Sequence, residues 1–105
     1  MLILISDKFD STLPGLLGKY GQVTDDPNRA PEADIILVRS KTKATAEYLA
    51  KAKNLKMIIR GGVGLDNIDQ NFCREKGIIV KNTAEASTTA VAELAFALMI
   101  ALPNH

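Results

Sequence analysis

Three glycines stand within four positions, at Gly61, Gly62 and Gly64, directly after the apolar run Met57-Ile58-Ile59 and Arg60. Glycine backbone takes positive φ without steric cost and lets another molecule approach its amides closely. Amides in a loop without a partner strand can cradle a carboxylate or a phosphate. The same composition also serves an ordinary strand-to-helix turn, and spacing alone does not separate the two uses. A pyrophosphate site is a poorer match. Gly62-Val63-Gly64 starts like G-x-G-x-x-G, but the third position is Asn67. The next strand candidate, 78–80, ends on Lys81-Asn82 and not on an acid.

Other reactive residue types are sparse. His105 is the only histidine and the last residue, a position that frays and makes a poor base. Cys73 has no histidine near it in sequence and reads as a small core residue. Glu93 is a lone charge in an apolar segment, better suited to a structural partner than to catalysis. No His, Cys and Asp cluster has the spacing of a metal site, so no metal is expected.

The elements that must carry the glycine loop follow from the apolar pattern. Leu2–Ile5, 33–38, 55–59 and 78–80 are short apolar runs, the pattern of buried strands, and Gln22–Thr24 is a weaker strand at an edge. Between them the sequence predicts helices. Residues 10–19 have Pro14 in the first turn, an apolar face of Leu13, Leu16 and Leu17, and Gly21 beyond the end. Residues 25–31, with two prolines and two aspartates, read as a loop. Thr45 caps a helix running to about Ala52, with Glu47 in its first turn and Tyr48 and Leu49 toward the sheet. Asn67 is expected to cap the next helix, with Gln70 as its capping-box partner. Ile68, Phe72 and Cys73 form that helix's inner stripe and Gly77 ends it. A final helix covers 88–102.

Apolar strands alternating with helices predict a parallel sheet covered on both faces. Five such strands predict an α/β, flavodoxin-like domain with strand order 2-1-3-4-5 over residues 1–105. Ligands of such sheets bind at the strand carboxyl ends. Here those ends carry Ser6-Asp7, Arg39-Ser40-Lys41, Arg60-Gly61-Gly62 and Lys81-Asn82, a basic edge that suits an anionic small molecule. Phospho-receiver domains share this fold, and Asp7, Asp25 and Asp26 fit one. Arg39, however, stands where a receiver needs an aspartate, and Lys81 matches the receiver lysine by position alone.

The composition sets bounds. The chain has 105 residues, 47% hydrophobic and 24% charged, which is one small globular domain. A net charge of +1 favours neither nucleic acid nor an anionic membrane. The single cysteine allows no internal disulfide, so a reducing, cytoplasmic setting is expected. The leading apolar run of about five residues is too short for a signal peptide. The apolar stretch 89–102 is shorter than the ~20 residues that span a bilayer.

Taken together, Val38-Arg39-Ser40-Lys41-Thr42, the run from Arg60 to Asp69, the run from Gly77 to Thr83 and Ala90-Val91-Ala92-Glu93-Leu94-Ala95 resemble the NAD-dependent D-2-hydroxyacid dehydrogenases. Val-Arg-Ser-x-Thr looks most like the D-3-phosphoglycerate enzymes. The resemblance implies that Gly61, Gly62, Val63 and Gly64 hold a substrate carboxylate through their amides, with Val63 also close to the nicotinamide. It implies that Arg39, Ser40 and Lys41 border the substrate and help hold a phosphate. Lys41 is often arginine there, and lysine keeps the charge without the bidentate fork. Ser87 takes the place of a residue, commonly asparagine, that reaches both substrate and cofactor. Members of the family are about three times longer. Their complete Rossmann domain, inserted after the last helix, supplies the NAD site and the catalytic arginine, glutamate and histidine. The resemblance therefore implies a truncated substrate-binding lobe, without catalytic residues or cofactor of its own. A free-standing, non-catalytic flavodoxin-like module is the alternative.

The final helix has almost no polar face, and such a helix must be covered on more than one side. Folding back onto the sheet beside 78–80 is expected, and what stays exposed predicts a homodimer through this helix, with 82–87 as a hinge.

Overall fold

A computed structural model describes residues 1–9, 11–62, 64–83 and 88–101. Val63, Ser87 and His105 lie outside the described residues. Five strands, β1 (Leu2–Ile5), β2 (Gln22–Thr24), β3 (Ile35–Val38), β4 (Met57–Gly61) and β5 (Ile79–Thr83), form one sheet in the order β2-β1-β3-β4-β5. Every pairing is parallel, as the apolar runs predict. Every residue of β1 and β3 is buried, because helices cover both faces.

The pleat divides the core in two. Leu4, Ile36, Val38 and Ile58 point to one face, where they meet α2 (Ala46–Lys51) and α3 (Gln70–Lys76) through Leu49 and Cys73. Ile3, Ile5, Ile35, Leu37, Met57 and Ile59 point to the other, against α1 (Leu13–Leu17) and α4 (Thr88–Ala101). Each such side chain contributes about 1.5–3 kcal/mol by leaving water. Helix α4 folds back as expected and buries Val91, Ala95 and Met99. Its opposite side leaves Phe96 and Ile100 exposed, at 42% and 61%. Among the described residues no helix is long and apolar enough to cross a membrane.

Several local expectations change. Helix α1 is shorter than 10–19 and exposes Leu16, since only Leu13 and Leu17 reach the sheet. Residues Pro27–Glu32, expected as loop, make a 3-10 helix whose first free amide, that of Asn28, is capped by the Asp26 carboxylate. Strand β3 starts later than Ala33, because Asp34 turns its carboxylate to the Leu2 N–H and to Lys56. Strand β4 starts at Met57 and extends to Gly61, and β5 reaches Thr83, because pairing continues as far as Gly61 opposite Thr83. Asp69, not Asn67, caps α3, accepting from the Phe72 N–H. Gly77 ends α3 in the left-handed region at φ 73°, as expected.

Candidate functional site

The carboxyl ends of β1, β3, β4 and β5 do lie on one edge. Register places Val38 beside Arg60, so the segment 39–42 and the glycine loop are neighbours. The three described glycines there serve different ends. Gly61 is still strand, buried, with negative φ; a side chain on it would meet Phe9. Gly62 and Gly64 have φ of 135° and 74°, so they need glycine for its backbone freedom. The Gly62 amide already donates to Thr83 Oγ1 at 3.3 Å, while its carbonyl accepts from Asn82 Nδ2 at 3.3 Å. Gly64 is exposed.

Arg60, legible as part of the basic strand-end edge but not as a contact of the glycine loop, lies beneath this loop. Its Nη1 donates to the Gly64 carbonyl at 2.8 Å. Its Nε is buried with no partner among the described residues. Arg39, Ser40 and Lys41 are exposed. The Arg39 guanidinium lies 5.8 Å from the Phe9 ring centre, a cation–π distance. Among the described residues neither Arg39, Lys41 nor Arg60 forms an ion pair. Three cations gathered at one sheet edge, with no carboxylate partner among the described residues, favour an anion.

Asp7, buried at the end of β1, is the one acid among them, and its lone pairs are used internally. Its Oδ2 accepts the N–H groups of Arg39 and Thr42 at 2.6 and 3.0 Å, and its Oδ1 accepts the Thr42 hydroxyl. Burial pushes this carboxyl up, but the Thr42 hydroxyl and the N–H groups of Thr42, Arg39 and Lys41 outweigh it and hold it below the usual range. A separate open groove of about 650 Å3 runs over β1 and β2. Asp7 and Asp25 line it, and among the described lining residues only Lys8 is basic, so it offers an anion little.

The start of α3, where a pyrophosphate would sit, is taken by the Asp69 carboxylate. Val63 and Ser87, the two residues expected near the nicotinamide, lie outside the described set.

Comparison with known proteins points to one family. Residues 18–104 match the family described as D-isomer specific 2-hydroxyacid dehydrogenase, catalytic domain. A hydroxypyruvate reductase of Thermotoga maritima is 55% identical over 75 residues, covering 71% of this chain and 24% of its own length. A D-3-phosphoglycerate dehydrogenase of Methanocaldococcus jannaschii is 53% identical over 111 residues, covering 98% of this chain and 21% of its own. The chain thus spans about a quarter or less of these curated relatives. The structure of D-lactate dehydrogenase from Aquifex aeolicus, complexed with NAD and lactic acid, superimposes with a TM-score of 0.68 at 28% identity, covering 97% of this chain and 33% of that one. With a parallel sheet of the same kind and a family match over most of its length, this chain belongs to the D-isomer-specific 2-hydroxyacid dehydrogenases.

Proposed function

We propose that these 105 residues form the substrate-binding lobe of an NAD-dependent dehydrogenase for small D-2-hydroxy acids, with 3-phosphoglycerate as the substrate and serine biosynthesis as its setting. The observation that carries this reading is the gathering of Arg39, Lys41 and Arg60 beside the glycine loop, where among the described residues none of the three has a carboxylate partner. A phosphate would lie toward Arg39, Ser40 and Lys41. A carboxylate would lie over the glycine loop; Val63 and Ser87, expected to serve the substrate and the nicotinamide, lie outside the described residues. The Gly62 amide is already bonded within the chain, so the carboxylate would rely on the remaining loop amides and on the Arg60 charge beneath them.

NAD would be held elsewhere in the enzyme, and no hydride step is assigned to residues of this chain. By themselves the 105 residues turn over nothing: the sequence has no dinucleotide fingerprint and a single, terminal histidine. The buried free thiol of Cys73 supports a reducing, cytoplasmic setting. The exposed side of α4 is where two copies would pair, since Phe96 stacks on Tyr20 beside exposed Ile100 and Met1.

Chemical-shift titration of this chain with 3-phosphoglycerate tests the reading. Binding no tighter than about millimolar is expected, because half of a closed cleft is missing. The amides of Arg39 to Lys41 and of Gly64 should move first, and D-lactate, which lacks the phosphate, should move Gly64 without the 39–41 set. Shifts confined to the β1–β2 groove would refute the site.

A further inference from the structure

In segment 39–42, which belongs to no regular element, Arg39, Ser40 and Lys41 are exposed and carry two of the three cations, while Thr42 is half-buried. A free loop of that kind would sample many conformations and lose them on binding, which weakens affinity. The structure holds it from two sides instead. The Asp7 carboxylate takes the N–H groups of Arg39 and Thr42 together with the Thr42 hydroxyl. The Thr42 hydroxyl also meets Ser6 Oγ at 2.9 Å. On the opposite side, Asn67 Nδ2 donates to the carbonyls of the same two residues, Arg39 at 2.7 Å and Thr42 at 2.8 Å. One side chain collects the donors of the loop and the other its acceptors.

The orientation of Asn67 follows from these contacts. Turning the carboxamide over would aim its oxygen at two carbonyl oxygens. In the orientation it keeps, Oδ1 is buried without a partner among the described residues. Asn67 also joins this loop to the glycine loop's far end. Its own carbonyl accepts the Ala44 N–H at 2.7 Å, and the Ala44 carbonyl accepts the Asp69 N–H at 2.9 Å, a short parallel bridge of Ala44 with Ile68.

We propose that Asp7 and Asn67 are positioning residues: together they preorganise segment 39–42 so that Arg39, Ser40 and Lys41 meet the anion in a fixed geometry. The proposal deepens the reading above and rests on it for the identity of the anion. It has an unusual electrostatic sign. Asp7 places a negative charge just under an anion site, so charge alone says that removing it strengthens anion binding. Positioning says that removing it weakens binding.

Three variants separate these outcomes. Asp7→Ala removes the acceptor. Asp7→Asn is the conservative variant: its amide oxygen can take the place of Oδ2 and accept both N–H groups, while its NH2 turns to the Thr42 hydroxyl oxygen. Asn67→Ala removes the donor with no change of charge. Amide hydrogen exchange and titration with 3-phosphoglycerate are read on each. In Asp7→Ala the amides of Arg39 and Thr42 should exchange about tenfold faster or more, the scale of losing hydrogen bonds to a charged acceptor. Binding should weaken severalfold in Asp7→Ala and in Asn67→Ala, and Asp7→Asn should restore wild-type protection and bind at least as well as wild type. Asp7→Ala binding as tightly as wild type, or more tightly, with its loop amides unprotected, would overturn the proposal. Should Asp7→Ala fail to fold, Asn67→Ala decides: unchanged affinity overturns the proposal and weakened affinity supports it. If wild type binds no 3-phosphoglycerate, the functional reading fails, and the clamp is judged on exchange alone, where unchanged protection in the alanine variants would overturn it.

Discussion

Gly61→Ala tests why the first glycine of the loop is a glycine. Its φ is negative, so an alanine meets no backbone penalty there. The obstacle is packing. A methyl group at Gly61 would stand 2.6 Å from Phe9 Cε1, 3.1 Å from Phe9 Cζ and 3.5 Å from Val91 Cγ2. Carbon atoms pack at about 3.5–4.0 Å, so the ring must retreat by about 1 Å. The strand cannot retreat instead, because Gly61 is paired with Thr83 at the end of β4. Overpacking of this kind costs about 1–3 kcal/mol. Alanine recovers about 0.4–1 kcal/mol by restricting the unfolded chain, which at the middle of the two ranges leaves a net loss of about 1.3 kcal/mol and a Tm lower by roughly 5–10 °C. Urea unfolding followed by circular dichroism gives the number. The same substitution in a Phe9→Ala background should cost at least 1 kcal/mol less, about the size of coupling seen between residues in contact. An equal cost in both backgrounds would refute the clash as the cause, and a Gly61→Ala protein as stable as wild type would refute the packing argument outright. Arg39 rests over the same ring, so displacement of Phe9 should also shift the Arg39 amide.

The acid limb of stability should belong largely to Asp7 and Asp34. In Asp34, burial pushes the carboxyl up, but the hydrogen bond from Lys56, the Leu2 N–H, and the charges of Lys56 and the chain's amino terminus hold it below the usual range. A carboxyl lowered in the folded state adds stability that is complete above its unfolded pKa of about 3.9 and is lost as pH falls through the folded value. Urea midpoints should therefore be flat from about pH 5 to 7 with respect to these groups and fall below about pH 4, and Asp34→Asn should flatten that fall; an unchanged acid slope would refute the assignment. Phe96→Glu places a charge in the exposed apolar face of α4 while leaving buried Val91, Ala95 and Met99 alone. Light scattering across a concentration series should show self-association in wild type and less of it in Phe96→Glu, and a strictly monomeric wild type would refute pairing through this face.

What the sequence by itself determined is the framework. Four apolar runs and the breaks between them specify the strands, because a strand buried on both faces needs no polar positions. The order 2-1-3-4-5 is the flavodoxin-like one expected when five strands alternate with helices, and Gly77 was legible as a stop because a left-handed residue there favours glycine. Cys73 as a core residue was legible too; burial, and after it the Asp69 charge, pushes its thiol up. What only the tertiary structure decided are the partners of polar groups that several local rules could equally claim. Asn67 and Asp69 are both acceptors able to cap α3, and sequence favours Asn67. The fold gives the cap to Asp69, because Asn67 meets two carbonyls 28 and 25 positions away that no local pattern reveals. Likewise the glycines at 61, 62 and 64 look interchangeable in sequence. One is required by the Phe9 ring across the fold, and the other two by their own φ. The sequence placed Arg60 on the basic edge but did not show its support of the loop, for the same reason: the loop carbonyl that orients it becomes its neighbour only after Gly62 and Gly64 turn the chain back over its side chain. Apolar burial acts through composition and periodicity, which one chain displays along its length. Hydrogen-bond pairing acts through proximity in space, which only the closed sheet and its loops create.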